Sequence, residues 1–313
     1  MKISLRQMAA VAATATLVLA GTTACNRGTD ATAGTPKVTL ALSTLNNPFF
    51  VELRDGAEAA AKTAGIQLDV VDAQNDSATQ ANQLATAATG STKAVIINPV
   101  DSDAAGSAVA TLTKAGIPVI AVDRTVNGAD LASYVASDNV AGGKQAAVEL
   151  AKAMGEEGSV IVLQGVSGTS ASRDRGAGFA EGIKDFPKIK VVAQQTANFD
   201  RAAALDVASN LLQSNPGVTG IFAENDEMAL GAIQALGAKA GAEVKVVGFD
   251  GTADGLAAIG NGTLVATIAQ QPAKLGQLAV ELAAKLVKGE KVESTVPVEV
   301  VSVTTSNLGE YTK

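Results

Sequence analysis

The chain has 313 residues, enough for two ordinary cores, and is 47% hydrophobic but only 3% aromatic, with a net charge of −7. It has no His and one Cys, which excludes a Ser-His-Asp triad, a Cys-His pair, an imidazole zinc site, an internal disulfide and an iron–sulfur ligand set. The acidic balance also argues against a nucleic-acid partner, because attraction to phosphate needs a basic face.

In chain order, residues 1–24 read as an export signal. Lys2 and Arg6 give a basic start, and Met8 to Ala20 is an uncharged apolar run, too short for a membrane span of ~20 residues. Gly21-Thr22-Thr23-Ala24-Cys25 then resembles a bacterial lipoprotein processing site, with Cys25 as the lipidated residue; the other reading is ordinary secretory cleavage in the same stretch. Residues 25–36 are small, polar and without periodicity, and read as a tether.

From Lys37 onward, short apolar runs alternate with Ala-rich stretches. The predicted strands are Val38–Ser43, Gln67–Val71, Ala94–Asn98, Val119–Asp123, Val160–Gln164, Lys190–Ala193, Gly220–Ala223, Lys245–Phe249 and Val265–Ala269. Helices are predicted between them, among them Phe50–Ala64, Ala141–Met154 and Ala273–Lys288, with Gly65, Gly116 and Gly241 closing helices. This grammar means βαβ units and parallel sheets, and the number of units calls for two α/β lobes rather than one sheet. Ligands in such sheets bind beyond the carboxyl ends of strands, where this chain repeatedly places Asp, Asn, Arg and Gln. No GxxxxGK[ST] phosphate loop occurs, and Asp72–Asp76 lacks the Gly and Glu of a calcium loop, so no cofactor and no metal are expected.

These segments resemble the ribose-binding protein family, the periplasmic sugar-binding components of ABC importers. The matching pieces are STLNNPFF at Ser43–Phe50, INPVDSDA at Ile97–Ala104, VDR at Val122–Arg124, ASDN at Ala136–Asn139 and LQGVSGTSASRDRGAGF at Leu163–Phe179. NFDR at Asn198–Arg201, ENDEMALGA at Glu224–Ala232, VVGFDGT at Val246–Thr252 and TIAQQP at Thr267–Pro272 continue it in the same order. The resemblance implies a type I periplasmic binding protein fold: two similar doubly wound parallel-sheet lobes, three crossing strands and a ligand cleft between the lobes. The first lobe would hold residues 37–137 and 271–298, the second 138–270 and 299–313. It implies ligand contacts from Ser43, Asn47, Phe49, Phe50, Asp123, Arg124, Arg173, Phe199, Asn225, Asp250 and Gln270, and no catalytic residue. One departure is Glu224, where that family carries Gln; it neighbours a contact residue without being one. The implied partners are a monosaccharide, D-ribose first among pentoses and hexoses, and a membrane permease. The protein is expected to be a monomer that meets the membrane only through its N-terminal lipid, or a free periplasmic protein if Cys25 is unmodified.

The residue types suit a sugar. Each hydroxyl donates once and accepts twice; Asp accepts, Arg donates, Asn and Gln do both, and Phe rings offer flat walls to the CH faces. Asp123 and Asp250 also permit two other readings, as helix N-caps or as the carboxylate pair of an exported hydrolase. A sugar-responsive repressor of the same fold would need a DNA-binding headpiece before Lys37, where the sequence has a signal and a tether instead.

Overall fold

The computed structural model describes residues 34–312, so the expected export signal, Cys25 and most of the expected tether lie outside the described residues. The remainder builds two six-stranded sheets. The first contains β1 (Lys37–Leu42), β2 (Gln67–Asp72), β3 (Thr92–Ile97), β4 (Val119–Val122), β5 (Ser133–Ser137) and β11 (Thr295–Val298), in the order β11-β5-β4-β3-β1-β2, every pair parallel. The second contains β6 (Glu157–Gln164), β7 (Lys188–Thr196), β8 (Gly220–Ala223), β9 (Lys245–Asp250), β10 (Ala266–Ala269) and β12 (Val301–Thr304), in the order β12-β10-β9-β8-β6-β7. All its pairs are parallel except β12, which runs antiparallel to β10.

The first five strands of each half have the same doubly wound order, 2-1-3-4-5, whose direction reverses between the first and third strands. Helices α1 (Pro48–Ala64), α2 (Ser77–Thr89), α3 (Gly106–Lys114) and α9 (Pro272–Val287) cover the first sheet. Helices α4 (Asn139–Ala153), α5 (Ser170–Gly182), α6 (Arg201–Ser214), α7 (Asp226–Leu236) and α8 (Ala253–Gly260) cover the second. Coverage on both faces explains the apolar strands. Along the first sheet Leu40, Ile96, Ile120 and Val122 join one core cluster, while Ala41, Val95, Ile97, Val119 and Ala121 join another on the opposite face. In the second sheet Ile161, Leu163 and Ile221 oppose Val160, Val162 and Phe222 in the same way.

The chain passes between the sheets three times, at Asp138, at Gln270-Gln271 and at Glu299-Val300. These crossings lie side by side: the Asp138 N–H donates to Val298 O at 3.0 Å, and Gln271 Nε2 donates to Glu299 O at 3.1 Å.

All nine predicted strands form. Three more, β5, β11 and β12, were not expected, because each is short and two lie at sheet edges. Pro297 within β11 reads against a strand, but an edge strand needs only one side of its hydrogen-bonding ladder.

Candidate ligand-binding site

A cavity lies at the carboxyl ends of both sheets, lined by Asn47, Phe49, Phe50, Asp123, Arg124, Ala171, Arg175, Phe199, Asn225, Asp250 and Gln270.

Each side chain arrives by a local device. Asn47 and Asn225 are the N-caps of α1 and α7, accepting from the N–H groups of Phe49 and Met228 at 2.9 Å each. Phe49 and Phe50 open α1 directly behind Pro48 and meet edge to face at 5.2 Å. Asp123 follows β4 with φ of +66°, in a tight turn where the Arg124 N–H donates to Val122 O at 2.7 Å. Such a turn is strained, and strain of this kind concentrates at functional sites. Asp250 ends β9 at φ +119°, also unfavourable for a side-chain-bearing residue. Neither Asp caps a helix: Thr252 caps α8, and the element that follows Asp123 is the strand β5. Phe199 sits in a left-handed pair with Asn198 and lies over Gly165, where a β-carbon would come within 2.0 Å of the ring.

The two guanidinium groups dominate the electrostatics. Arg124 lies 3.6 Å from Asp123 Oδ2 and faces the rings of Phe50 and Phe199 at 5.3 and 5.5 Å. Arg175 donates from Nε to Asn139 Oδ1 at 2.9 Å and from Nη1 to Glu224 O at 2.6 Å, lies 3.5 Å from Asp250 Oδ1, and stacks over Phe249 at 3.9 Å. Burial raises the carboxyl of Asp123 against the pull of Arg124 and Arg175, and lowers Arg124 against that of Asp123. Burial also raises Asp250 well above the usual carboxylate range; Arg175 opposes this and the Asp226 charge adds to it. Asp123 Oδ1, Arg124 Nε and Gln270 Oε1 are buried and find no partner among the described residues.

Two of the expected contact residues do not line the cavity. Arg173 is not brought to the cavity: its side chain is 55% exposed and pairs with Asp174, whereas Arg175, 4% exposed, takes the cavity position. Two positions along a helix is about 200° of rotation, so the residues occupy opposite faces of α5. The signal was present in the sequence. Ala171, Arg175, Gly178, Phe179 and Gly182 repeat at helical spacing and form the buried face of α5, with which Arg173 is out of register. Ser43 is not a wall residue either. It is fully buried and its Oγ donates to Asn98 Oδ1 at 2.6 Å, while Asn98 Nδ2 donates to Asp123 Oδ2 at 3.0 Å. Ser43 and Asn98 thus hold Asp123 from behind.

Sequence reasoning also missed Asp226, which steadies the turn carrying Asp250. Its Oδ2 accepts from the N–H groups of Gly251 and Thr252 and from Thr252 Oγ, and its Oδ1 accepts from Thr267 Oγ at 2.7 Å. Among the described residues no group of three or more His, Cys, Asp or Glu side chains could hold a metal ion.

A small polar cavity at the facing strand ends of two similar parallel-sheet halves, with lining groups drawn from both, defines a two-lobed solute-binding protein. A periplasmic binding protein domain matches residues 38–291, and the chain belongs to that family. It is 49% identical over 262 residues to the ribose import binding protein of Salmonella typhimurium, covering 84% of this chain and 88% of that protein. It is 45% identical over 257 residues to the ribose import binding protein of Bacillus subtilis, covering 82% and 83%. Among solved structures, a Caulobacter myo-inositol binding protein with bound myo-inositol superposes with a TM-score of 0.85 at 36% identity, covering 89% of this chain and 96% of that one. The relatives are binding proteins rather than enzymes, in keeping with a site rich in hydrogen-bonding groups and a chain without His.

Proposed function

We propose that this protein is the exported solute-binding component of an ABC importer, that its ligand is a monosaccharide, D-ribose before other pentoses and hexoses, and that it delivers the sugar to a membrane permease. The observation that carries this reading is the cavity wall. Buried Asp, Arg, Asn and Gln side chains offer both donors and acceptors, three of their polar atoms have no partner among the described residues, and Phe50 and Phe199 supply apolar faces. The similarity to ribose import binding proteins from two distant bacteria supports ribose among the sugars.

Asp123, Asp250, Asn47, Asn225 and Gln270 accept from or share with the hydroxyls, Arg124 and Arg175 donate, and Phe49, Phe50 and Phe199 enclose the ring. Capture proceeds by closure about the three crossings, one lobe binding first and the other completing the contacts. Gln270 belongs to both a crossing and the cavity wall, which ties ligand contact to the hinge. A pentose has about ten heavy atoms, and at roughly −1 kcal/mol per atom the dissociation constant is tens of nanomolar. The protein acts as a monomer on the outer face of the cytoplasmic membrane, anchored by a lipid on Cys25, or free in the periplasm if that residue is unmodified. Mass spectrometry of the natural N-terminus distinguishes the two.

Calorimetric titration of the mature protein with ribose, allose, xylose, galactose and arabinose tests the function. Ribose should bind most tightly. If none of the five binds below about 1 mM, where binding free energy falls to about −4 kcal/mol, the reading is wrong.

A further inference from the structure

Glu224 lies immediately before the cavity residue Asn225 but does not itself line the cavity. It is fully buried behind the wall, between the loop after β6 and the first turn of α5. Its Oε2 accepts from the Gly165 N–H at 2.7 Å and from Ser172 Oγ at 2.5 Å. Its Oε1 finds no partner among the described residues and lies 3.0 Å from where a β-carbon on Gly176 would stand. Its main-chain oxygen accepts from Arg175 Nη1 at 2.6 Å. Glu224 therefore touches the helix that carries Arg175 and also the guanidinium itself. Gly165, which it holds by the N–H, is the residue over which the Phe199 ring lies.

We propose that Glu224 is a positioning residue for Arg175, that it acts in its neutral, protonated form, and that sugar affinity weakens when it loses the proton. The inference rests on the sugar-binding reading above. An ionised carboxylate with one buried oxygen lacking any donor is far more costly than a neutral acid in the same place. The surroundings offer little compensation. From α5 the one charged group facing it is Arg175, beside neutral Ser172. The loop after β6 gives only the Gly165 N–H. Two residues further on, α7 begins with Asp226, whose carboxylate is occupied by Gly251, Thr252 and Thr267. Burial accordingly pushes the Glu224 carboxyl up to about 7, in spite of the Ser172 and Gly165 hydrogen bonds and the Arg175 charge. On ionisation Arg175 is the cation within reach. Drawing it toward Oε1 takes it from the cavity and from Asp250, its 3.5 Å neighbour. The carboxylate arrangement that suits the sugar is then Asp123 and Asp250 against Arg124 and Arg175, with Glu224 uncharged.

Ribose titrations of the mature protein between pH 5.5 and 8.5 test this, using the wild type, Glu224→Gln and Ser172→Ala. The wild-type dissociation constant should rise toward high pH by up to about tenfold for each unit by which binding raises the Glu224 pKa. Glu224→Gln keeps the two hydrogen bonds and a neutral head, so its affinity should stay within about twofold of the wild type at pH 5.5 and fall less steeply than the wild type's as pH rises, with Asp226 and Asp250 left to titrate. Ser172→Ala removes a hydrogen bond that favours the ionised form and should move the midpoint of the profile to higher pH. At pH 7.5, titrations in two buffers of different ionisation enthalpy should show more proton uptake on binding by the wild type than by Glu224→Gln. A flat wild-type profile, a Glu224→Gln profile with the wild-type slope, or an unmoved midpoint in Ser172→Ala overturns the inference while leaving sugar binding intact. Ser172→Ala decides the matter if Glu224→Gln does not fold. Absence of sugar binding by the wild type at every pH overturns the functional reading and this inference with it.

Discussion

Arg173 and Arg175 stand two positions apart on α5, and the difference between them is a difference of helix face. The buried guanidinium of Arg175 satisfies Asn139, the Glu224 carbonyl and Asp250, while Arg173 pairs with Asp174 in solvent. Exposed pairs of the second kind contribute at most about 1 kcal/mol. Arg175→Ala strands several buried partners, so calorimetry should show ribose binding weakened by at least about 1.5 kcal/mol, more than tenfold. Arg173→Ala should stay within about twofold. The opposite pattern would restore Arg173 to the site. Most of the cavity was legible in single residues: Asn47, Phe49, Phe50, Asp123, Arg124, Phe199, Asn225, Asp250 and Gln270 all line it. Ser43 and Arg173 do not line it: Ser43 stands behind the wall against Asn98 and Arg173 lies on the solvent side of α5, and a motif matched by letters carries neither placement.

At the scale of elements, α5, which presents Arg175, packs closely against α4. A β-carbon on Gly178 would come within 2.1 Å of Val140 O, and one on Gly143 within 2.2 Å of Arg175 O. Glycine here is a matter of space between helices. Gly178→Ala must push the helices apart, and overpacking of this kind costs about 1–3 kcal/mol. Thermal unfolding should show a melting temperature lowered by several degrees, at about 2–4 °C per kcal/mol for a domain of roughly this size. Because α5 moves with its arginine, ribose affinity should fall in the same variant. A melting temperature unchanged within a degree or so would show that the contact relaxes freely. The Ala-rich character of these helices was readable in the chain, but which Gly residues mark a close crossing was not, since Gly is equally at home in turns.

For the whole molecule, the buried carboxylates set a pH dependence of stability. The Glu224 carboxyl rises from 4.5 to about 7 and that of Asp226 from 3.8 to about 6, both chiefly through burial. The folded state therefore holds more protons than the unfolded chain between those values. Stability is fully present below the ordinary carboxylate values and is lost as pH rises toward 6 and 7. Glu224 alone accounts for a loss of about 3 kcal/mol by pH 8, at 1.36 kcal/mol per unit. Urea or thermal unfolding should give a higher midpoint near pH 5.5 than at pH 8, and Glu224→Gln should remove much of that difference. A wild-type midpoint that is level, or that rises with pH, would contradict the burial of a protonated Glu224.

The sequence by itself determined the alternating strand–helix grammar, the two α/β halves and the family, because apolar periodicity and the ordered motifs are local properties of the chain. It also placed most of the cavity's polar groups, since the carboxyl end of a strand is a position that can be counted. Helical spacing already set Arg175, and not Arg173, on the face with Gly178 and Phe179; the tertiary structure decided that this face meets the cavity. It also decided that Ser43 serves Asp123 through Asn98, and that Glu224 lies buried with one oxygen unpartnered. Those outcomes depend on the rotation and spacing of elements brought together from distant parts of the chain, and it is that packing, rather than any local preference, that chooses among side chains of the same chemical type.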